Sequence, residues 1–176
     1  RIRGPWQPAP DPDDSAIDLE IDPGTAFGHG AHPSTALLLA MLPETVRPGT
    51  TVADLGTGTG VLAIAAAKLG ARVLAVEIDP AAARTAATNI ERNEVPDRVH
   101  LRHVDAAELR LEARCVIANV TIDVHRRLAP GLQSAPTVLL AGVLASQADE
   151  AVGLYADHEV VRMDRRDGWV GLWLES

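Results

Sequence analysis

Two acidic side chains frame a glycine-rich segment that could bind a small ligand. Asp54 opens residues 54–60 (DLGTGTG), and Glu77 follows seventeen residues after the last of these glycines. The glycines allow a sharp turn and let a ligand approach the backbone closely. Glu77 ends an apolar run (RVLAVE), where its carboxylate can accept hydrogen bonds from a ribose diol. The pattern predicts a site for an adenosine-type ligand; the alternative is a glycine turn that binds nothing.

The charge of Asp54 distinguishes between two adenosine-type cofactors. A nicotinamide dinucleotide places its pyrophosphate on the helix N-terminus after the turn, where a second anion is unfavourable. S-adenosylmethionine has no phosphate, and its sulfonium and ammonium groups favour a nearby carboxylate. Its own carboxylate can still bind the amides at the helix start. The sequence therefore favours S-adenosylmethionine over a dinucleotide.

Alternating strand and helix patterns position these residues. Buried strands are predicted at 51–56, 72–77, 98–103, 114–118 and 137–141, with two final strands near 159–164 and 169–175. Helices are predicted at 34–42, where Pro43 would end the helix, and at 59–69, 80–93, 122–132 and 146–155. This alternation is typical of right-handed βαβ crossovers and a parallel sheet. The last two strands predict a closing hairpin, which places one antiparallel strand in that sheet.

The length and composition indicate a single folded unit. The chain has 176 residues, of which 47% are hydrophobic and only 3% aromatic, as expected for an α/β core of small aliphatic side chains. Residues 1–16 contain four prolines and read as an extended arm that Trp6 could dock, followed by a short strand at 17–21. We expect the folded domain to span residues 17–176.

The charge and cysteine content limit the class of partner and compartment. A formal net charge of -8 argues against general nucleic-acid binding and favours a cationic or small partner. The single cysteine, Cys115, excludes an intramolecular disulfide and lies in an apolar run typical of a buried strand, not of a nucleophile. No run of 18 apolar residues and no signal-peptide pattern is present. We therefore expect a cytoplasmic protein that does not bind membranes.

Further polar residues follow the predicted strands. Asp105 comes just after the third strand, where it could accept the adenine amino group or cap the helix that starts at Ala106. Asn119 follows the fourth strand and would face the crevice that receives a methyl acceptor, or would be an ordinary turn residue. His29 and His32 are three positions apart without a third nearby ligand, so we expect no metal site.

Several segments together resemble the PrmA family of lysine methyltransferases, which act on large-subunit ribosomal protein eleven. The resemblance runs from about Ile21 to the end of the chain. It is carried by DPGTAFGHGAHPSTALLLAML, DLGTGTGVLAIAAAKLGA, AVEIDPAAARTAATNIERN, AGVLASQADEAV and DGWVGLWLE. It implies the class I methyltransferase fold, a seven-stranded, mostly parallel sheet with helices on both faces, and S-adenosyl-L-methionine as the cofactor.

The resemblance also implies a role for individual residues. Phe27 and Gly28 would lie in a loop beside the cofactor, and Ser34 and Thr35 near its methionine end. Asn119 would lie at the target amine, so Asn119 and Thr35 are the expected catalytic residues. The expected cofactor-binding residues are Phe27, Gly28, Ser34, Asp54, Gly56, Thr57, Gly58, Glu77, Ile78, Asp105 and Asn119.

These observations predict an S-adenosylmethionine-dependent methyltransferase that transfers a methyl group to a nitrogen nucleophile. The resemblance implies that the acceptor is a protein lysine and that a ribosomal protein is a candidate partner. One alternative is a stand-alone enzyme that methylates nitrogen or oxygen in small molecules. Another is a subunit that binds S-adenosylmethionine without catalysing a reaction. The sequence predicts no oligomeric state.

Overall fold

Strands and helices alternate along most of the chain. A computed structural model describes residues 1–11, 13–24 and 30–176. The strands are β1 (Ile2–Arg3), β2 (Leu19–Glu20), β3 (Thr51–Leu55), β4 (Arg72–Glu77), β5 (Val99–His103), β6 (Cys115–Asn119), β7 (Thr137–Leu144), β8 (Glu159–Arg166) and β9 (Trp169–Glu175). The α-helices are α1 (Pro33–Thr45), α2 (Val61–Lys68), α3 (Pro80–Arg92), α4 (Ile122–Leu128) and α5 (Ala148–Leu154).

One sheet holds most of the strands. Its order is β5-β4-β3-β6-β7-β9-β8, with seven strands in all. The neighbours from β5 to β7 pair in parallel, whereas β9 is antiparallel to both β7 and β8. The expectation of a mostly parallel sheet closed by a hairpin is confirmed. Because β3 continues to β4 on one side and β6 lies on its other side, the strand order reverses at β3.

Helices cover both faces of the sheet, so its central strands are buried on both sides. Along β3, Val52 packs in the layer that contains α1, α2 and α3, whereas Ala53 packs in the layer that contains α4 and α5. This alternation is the period of two that a strand imposes on its side chains. Every residue of α2 before Lys68 is buried, which explains the nearly unbroken apolar sequence VLAIAAA.

The helix starts follow from local sequence, but one predicted helix end is wrong. Asp79 caps α3 by accepting the Ala81 amide at 2.8 Å, and Pro80 takes the first helical position, as predicted. Pro43 was expected to end α1, yet the helix continues to Thr45. A proline in the last turn removes one hydrogen bond, while the Val46 amide still donates to the Leu42 carbonyl at 2.8 Å.

The amino-terminal residues pair with the domain. β1 lies parallel to β2, which is shorter than the predicted strand at 17–21. Arg3 forms ion pairs with Asp18 and Glu20, each at 2.8 Å. The side chain expected to dock the arm, Trp6, is 73% exposed, so that expectation is wrong and backbone pairing holds these residues instead. The domain boundary at residue 16 stays a prediction.

The strands that lead to the site run further than their apolar patterns indicate. β6 includes Asn119, which pairs with Ala141, and β7 continues to Leu144. The predicted helix at 122–132 is shorter, because α4 gives way to a 3-10 turn at Ala129–Gly131. Within residues 1–11, 13–24 and 30–176, no helix has the length and apolar character needed to cross a membrane.

Candidate functional site

The predicted site residues that the structure describes lie around the carboxyl ends of β3, β4 and β6. The strand order reverses at this place, and open α/β sheets bind ligands in the crevice outside such a reversal. A groove of about 450 Å³ lies at the opposite edge of the sheet, near the amino ends of β3 to β5. It is lined by residues such as Thr51, Arg72 and Val99. We place the site at the carboxyl edge because the glycine turn, Glu77 and Asn119 all lie there.

The glycine turn leads from β3 into α2. Gly56, Gly58 and Gly60 have φ angles of 72°, 58° and 84°, in the left-handed region that favours glycine. A Cβ atom on Gly56 would lie 2.7 Å from Cγ1 of Val120, which follows β6. The turn therefore depends on glycine both for its backbone conformation and for its close approach to the neighbouring strand.

The side chain of Asp54 stabilises this turn through hydrogen bonds. Its side chain is 1% exposed, and its Oδ2 accepts hydrogen bonds from the Thr57 hydroxyl at 2.6 Å and the Ala63 amide at 3.1 Å. Burial raises the pKa of Asp54 to about 6; the two hydrogen bonds oppose this rise, and the charge of Glu77 adds to it. These contacts brace the turn against α2. Direct electrostatic contact between Asp54 and the cofactor stays a prediction.

Glu77 connects the turn to the start of α3. Its Oε2 accepts the Gly58 amide at 2.9 Å, and its Oε1 accepts the amides of Ile78 at 2.9 Å and Asp79 at 3.0 Å. A carboxylate has about four lone-pair sites, so these bonds leave capacity for a ribose hydroxyl. Ile78 is 59% exposed beside it, an apolar surface next to the predicted ribose position.

An apolar cavity of about 90 Å³ lies beside Glu77, where the adenine is expected. Asp105 lies at its polar edge, and its Oδ1 accepts the Ala107 amide at 3.0 Å, so the helix-capping interpretation is confirmed. Its Oδ2 pairs with Arg127 at 2.6 Å. The amide bond, followed by the contact with Arg127, holds the pKa of Asp105 below its usual range. That Asp105 accepts a hydrogen bond from the adenine amino group stays a prediction. The cavity is lined by Gly56, Val76, Ile78, Val104, Asp105, Ala106, Val120, Val124, Arg127 and Leu128.

Asn119 and Thr35 meet on the other side of the turn. The Asn119 Nδ2 donates to the Thr35 hydroxyl at 3.1 Å, and Thr35 is fully buried in α1. The buried Oδ1 of Asn119 has no hydrogen-bond partner among the described residues. Because the amide nitrogen is bonded to Thr35, the carbonyl oxygen retains the capacity to accept a hydrogen bond.

Ser34 lies next to this pair and is also fully buried. Its hydroxyl contacts His32 Nδ1 at 2.8 Å, and its amide donates to the same nitrogen at 3.3 Å. The His32 ring packs edge-on against Trp169, with centroids 4.7 Å apart. His32 thus caps α1. Its neighbour in the considered metal pair, His29, lies outside the described residues, as do Phe27 and Gly28.

Sequence reasoning missed three residues that shape the site. Val120 contacts the glycine turn, Arg127 pairs with Asp105, and Trp169 packs on His32. The position of Val120 directly after Asn119 is the one signal that could have identified it. The other two contacts join residues far apart in the sequence, and no local pattern indicates them.

The residues present fit an S-adenosylmethionine-type ligand. The glycine turn leaves backbone exposed to close approach, Glu77 retains acceptor capacity for a ribose, and an apolar cavity follows it. Near this cofactor-binding surface lies the carbonyl of Asn119, which has no hydrogen-bond partner within the part of the chain that the structure describes.

Solved structures share the fold of this chain. The crystal structure of a ribosomal protein L11 methylase from Lactobacillus delbrueckii subsp. bulgaricus superimposes with a TM-score of 0.90 at 28% identity, covering 99% of this chain and 93% of that one. An RNA methyltransferase from Salinibacter ruber in complex with S-adenosyl-L-homocysteine superimposes with a TM-score of 0.64 at 25% identity, covering 78% and 89%. The fold is therefore that of class I S-adenosylmethionine-dependent methyltransferases.

Curated relatives identify the family within this fold. A ribosomal protein L11 methyltransferase from Desulfitobacterium hafniense is 40% identical over 96% of this chain, and one from Escherichia coli is 42% identical over 83%. The chain spans about half the length of these relatives, 56% and 52% respectively. A family model described as Ribosomal protein L11 methyltransferase (PrmA) matches residues 1–176. This match and the level of identity show that the chain belongs to the PrmA family of ribosomal protein L11 methyltransferases.

Proposed function

We propose that this chain is the catalytic unit of an S-adenosylmethionine-dependent methyltransferase whose acceptor is a lysine amine of a ribosomal protein. The observation that carries the proposal is the position of Asn119 at the end of β6, where Thr35 holds its amide nitrogen and its Oδ1 can accept a hydrogen bond. The names of the relatives support the methyltransferase activity and the class of acceptor.

The chain contributes binding and orientation more than acid-base chemistry. The bound cofactor supplies a methyl group already activated by its sulfonium, so that the attacking nitrogen forms the new bond as the carbon–sulfur bond breaks. The glycine turn and Glu77 would hold the adenosine portion, and the apolar side chain of Ile78 would shield it from water. Holding the two reactants at near-attack distance removes much of the entropic barrier.

Asn119 would act on the acceptor. A lysine amine with an unperturbed pKa of about 10.4 must lose one proton to water before its lone pair can attack. The Asn119 Oδ1 can then accept a hydrogen bond from the neutral amine and direct the lone pair away from itself, toward the methyl group. Thr35 acts through Asn119 because its hydroxyl accepts a hydrogen bond from Nδ2 and so holds the side-chain amide in place.

The charge of the chain is consistent with a basic protein acceptor. With 24 acidic and 16 basic side chains, the surface attracts cationic partners over moderate distances. A ribosomal acceptor would place the enzyme in the cytoplasm, which a single buried cysteine also favours. A small-molecule acceptor and a noncatalytic binding subunit remain outcomes of the test below.

Methyl transfer can be tested directly. The chain is incubated with isotopically labelled S-adenosylmethionine and purified ribosomal protein L11, and labelled lysines are located by mass spectrometry. Calorimetry with S-adenosylhomocysteine measures cofactor binding separately, with an expected free energy of roughly 8 kcal/mol. Label on small molecules alone would contradict the protein acceptor. Binding without transfer to any component of a lysate would contradict catalysis, and preferential binding of a nicotinamide dinucleotide would overturn the cofactor assignment.

The role of Asn119 can be separated from cofactor binding. Asn119→Ala is expected to lower turnover roughly a hundredfold while changing the Kd for S-adenosylhomocysteine by no more than about threefold. Thr35→Val keeps the size of the side chain but removes the hydroxyl, so a smaller loss of turnover at unchanged Kd is expected. If turnover and affinity fell together in Asn119→Ala, the residue would belong to the cofactor pocket. If neither changed, it would be an ordinary strand-end residue.

A further inference from the structure

A buried histidine and tyrosine lie behind the turn that follows Asn119. His125 in α4 and Tyr155 after α5 are both fully buried. The His125 Nδ1 lies 3.0 Å from the Tyr155 hydroxyl, and its Nε2 lies 2.9 Å from the carbonyl oxygen of Ala141 in β7. The imidazole therefore joins α4, α5 and β7 at the carboxyl edge of the sheet.

The chemistry of the contacts fixes the form of the ring. A backbone carbonyl can only accept, so Nε2 carries the proton and Nδ1 accepts from the tyrosine hydroxyl. Burial lowers the pKa of His125, and hydrogen bonding to the carbonyls of Ala141 and Val120 opposes this shift. Burial also raises the pKa of Tyr155, which keeps the hydroxyl protonated. The ring is thus a neutral connector with a single orientation.

The Ala141 carbonyl links this ring to the end of β6. Ala141 is the register partner of Asn119, and its oxygen also accepts the Val120 amide at 3.2 Å. Next to it, Gly142 packs so closely that a Cβ atom would lie 2.4 Å from the Val120 oxygen. The turn directly after Asn119 is therefore held between β7 and the His125 ring.

We propose that His125 is a positioning residue for methyl transfer, which holds the Ala141 carbonyl and the Val120 peptide so that Asn119 keeps its orientation toward the acceptor. The proposal rests on the proposed function, because the Asn119 carbonyl is what the arrangement positions. His125 does not line the cofactor cavity itself, although the Val120 side chain does, so loss of His125 should lower turnover more than cofactor affinity.

The chain contains a matched control. His158 is buried, its Nε2 lies 2.8 Å from the Ala135 carbonyl, and its ring meets the same tyrosine edge-on with centroids 6.2 Å apart. Ala135 lies just before the amino end of β7, whereas Ala141 lies in the half of that strand nearer its carboxyl end. His125→Leu and His158→Leu therefore remove the same kind of bond towards opposite ends of one strand.

The two variants are compared in turnover at saturating acceptor, with the active fraction set by titration with S-adenosylhomocysteine. His125→Leu should lower kcat by roughly ten- to a hundredfold, whereas His158→Leu should stay within about threefold of the unmodified chain. His125→Gln, whose amide can still donate to a carbonyl, should recover part of the loss. Equal losses of kcat in both leucine variants would overturn the proposal.

Hydrogen exchange provides a readout that needs no methyl transfer. The Val120 amide should exchange faster in His125→Leu than in the unmodified chain, and should keep its protection in His158→Leu. If the unmodified chain transfers no methyl group, the proposed function fails while this comparison still tests the positioning. If Val120 exchange is the same in both leucine variants, the positioning role of His125 is wrong.

Discussion

The contact between Gly142 and the Val120 peptide gives a prediction whose size can be worked out. Gly142 has a φ of 83°, and the pairing of β7 with β9 shifts register between Leu140 and Val143. In Gly142→Ala the new methyl group would start 2.4 Å from the Val120 carbonyl oxygen. The substitution therefore adds a strained backbone angle and an overlap with main-chain atoms that have little room to move.

Each contribution has a separate magnitude. A non-glycine residue in the left-handed region costs about 1–2 kcal/mol. Overpacking a buried site costs about 1–3 kcal/mol more. Gly49 provides the control for the first contribution: its φ is 85°, and no atom of the described neighbouring residues lies within 4 Å of its Cβ position. Gly49→Ala should therefore lose about 1–2 kcal/mol, and Gly142→Ala about 2–5 kcal/mol.

Urea unfolding at one temperature, with equal slopes required for all three proteins, measures this difference. In a thermal scan each kcal/mol corresponds to about 2–4 °C in Tm for a chain of this size. Gly142→Ala should also lower methyl transfer, because the Val120 peptide follows Asn119 directly, while Gly49→Ala should not. Equal losses of unfolding free energy in the two variants would refute the reasoning, since the Val120 peptide would then move aside without lowering stability.

Three further predictions concern the cofactor side of the site. Glu77→Gln should weaken S-adenosylhomocysteine binding by about 1.5–3 kcal/mol in calorimetry and also lower Tm, because the same carboxylate accepts backbone amides from both flanking loops. Asp54 has a pKa of about 6 in the folded chain, above the value of 3.8 for an exposed carboxyl, so the folded state binds more protons between these values. Its contribution to the free energy of unfolding should fall by about 3 kcal/mol as pH rises through that window, and Asp54→Asn should remove this slope. Asp105→Ala should weaken cofactor binding by about 1–2 kcal/mol, whereas Arg127→Ala should weaken it less, because the carboxylate edge of the cavity is retained; equal losses would assign the effect to the ion pair.

Local sequence was sufficient for the features that depend on neighbours in the chain. The strand before the glycine turn, the start of α3 at Pro80, and the placement of Glu77 at the end of β4 all follow from periodicity and capping residues. These signals also brought Asn119 to the correct edge, since parallel strands present their carboxyl ends together. The family resemblance placed Thr35 in the same site as Asn119, although the two residues are 84 positions apart in the sequence.

Contacts between distant segments could not be predicted in the same way. The Asp105–Arg127 pair and the His125–Tyr155 pair join residues 22 and 30 positions apart, and any exposed arginine or apolar-face tyrosine has many such partners available. The pairing of β1 with β2 was missed because two-residue strands carry no measurable period. The extension of α1 past Pro43 shows the limit of a local rule, because packing of α1 on the sheet offsets one missing amide.

The position of β9 between β7 and β8 has a consequence for how the chain is made. The ribosome synthesises β8 before β9, yet among the described strands β8 pairs with β9 alone. During synthesis β8 therefore has no hydrogen-bonded neighbouring strand until β9 has been made. Two of its apolar side chains, Val160 and Val161, are exposed even in the folded chain. Folding from the amino-terminal side can assemble the parallel strands early, but the sheet closes only when β9 inserts. The nascent chain thus carries an unpaired strand until β9 joins the sheet, and this interval is when we expect it to depend most on chaperones.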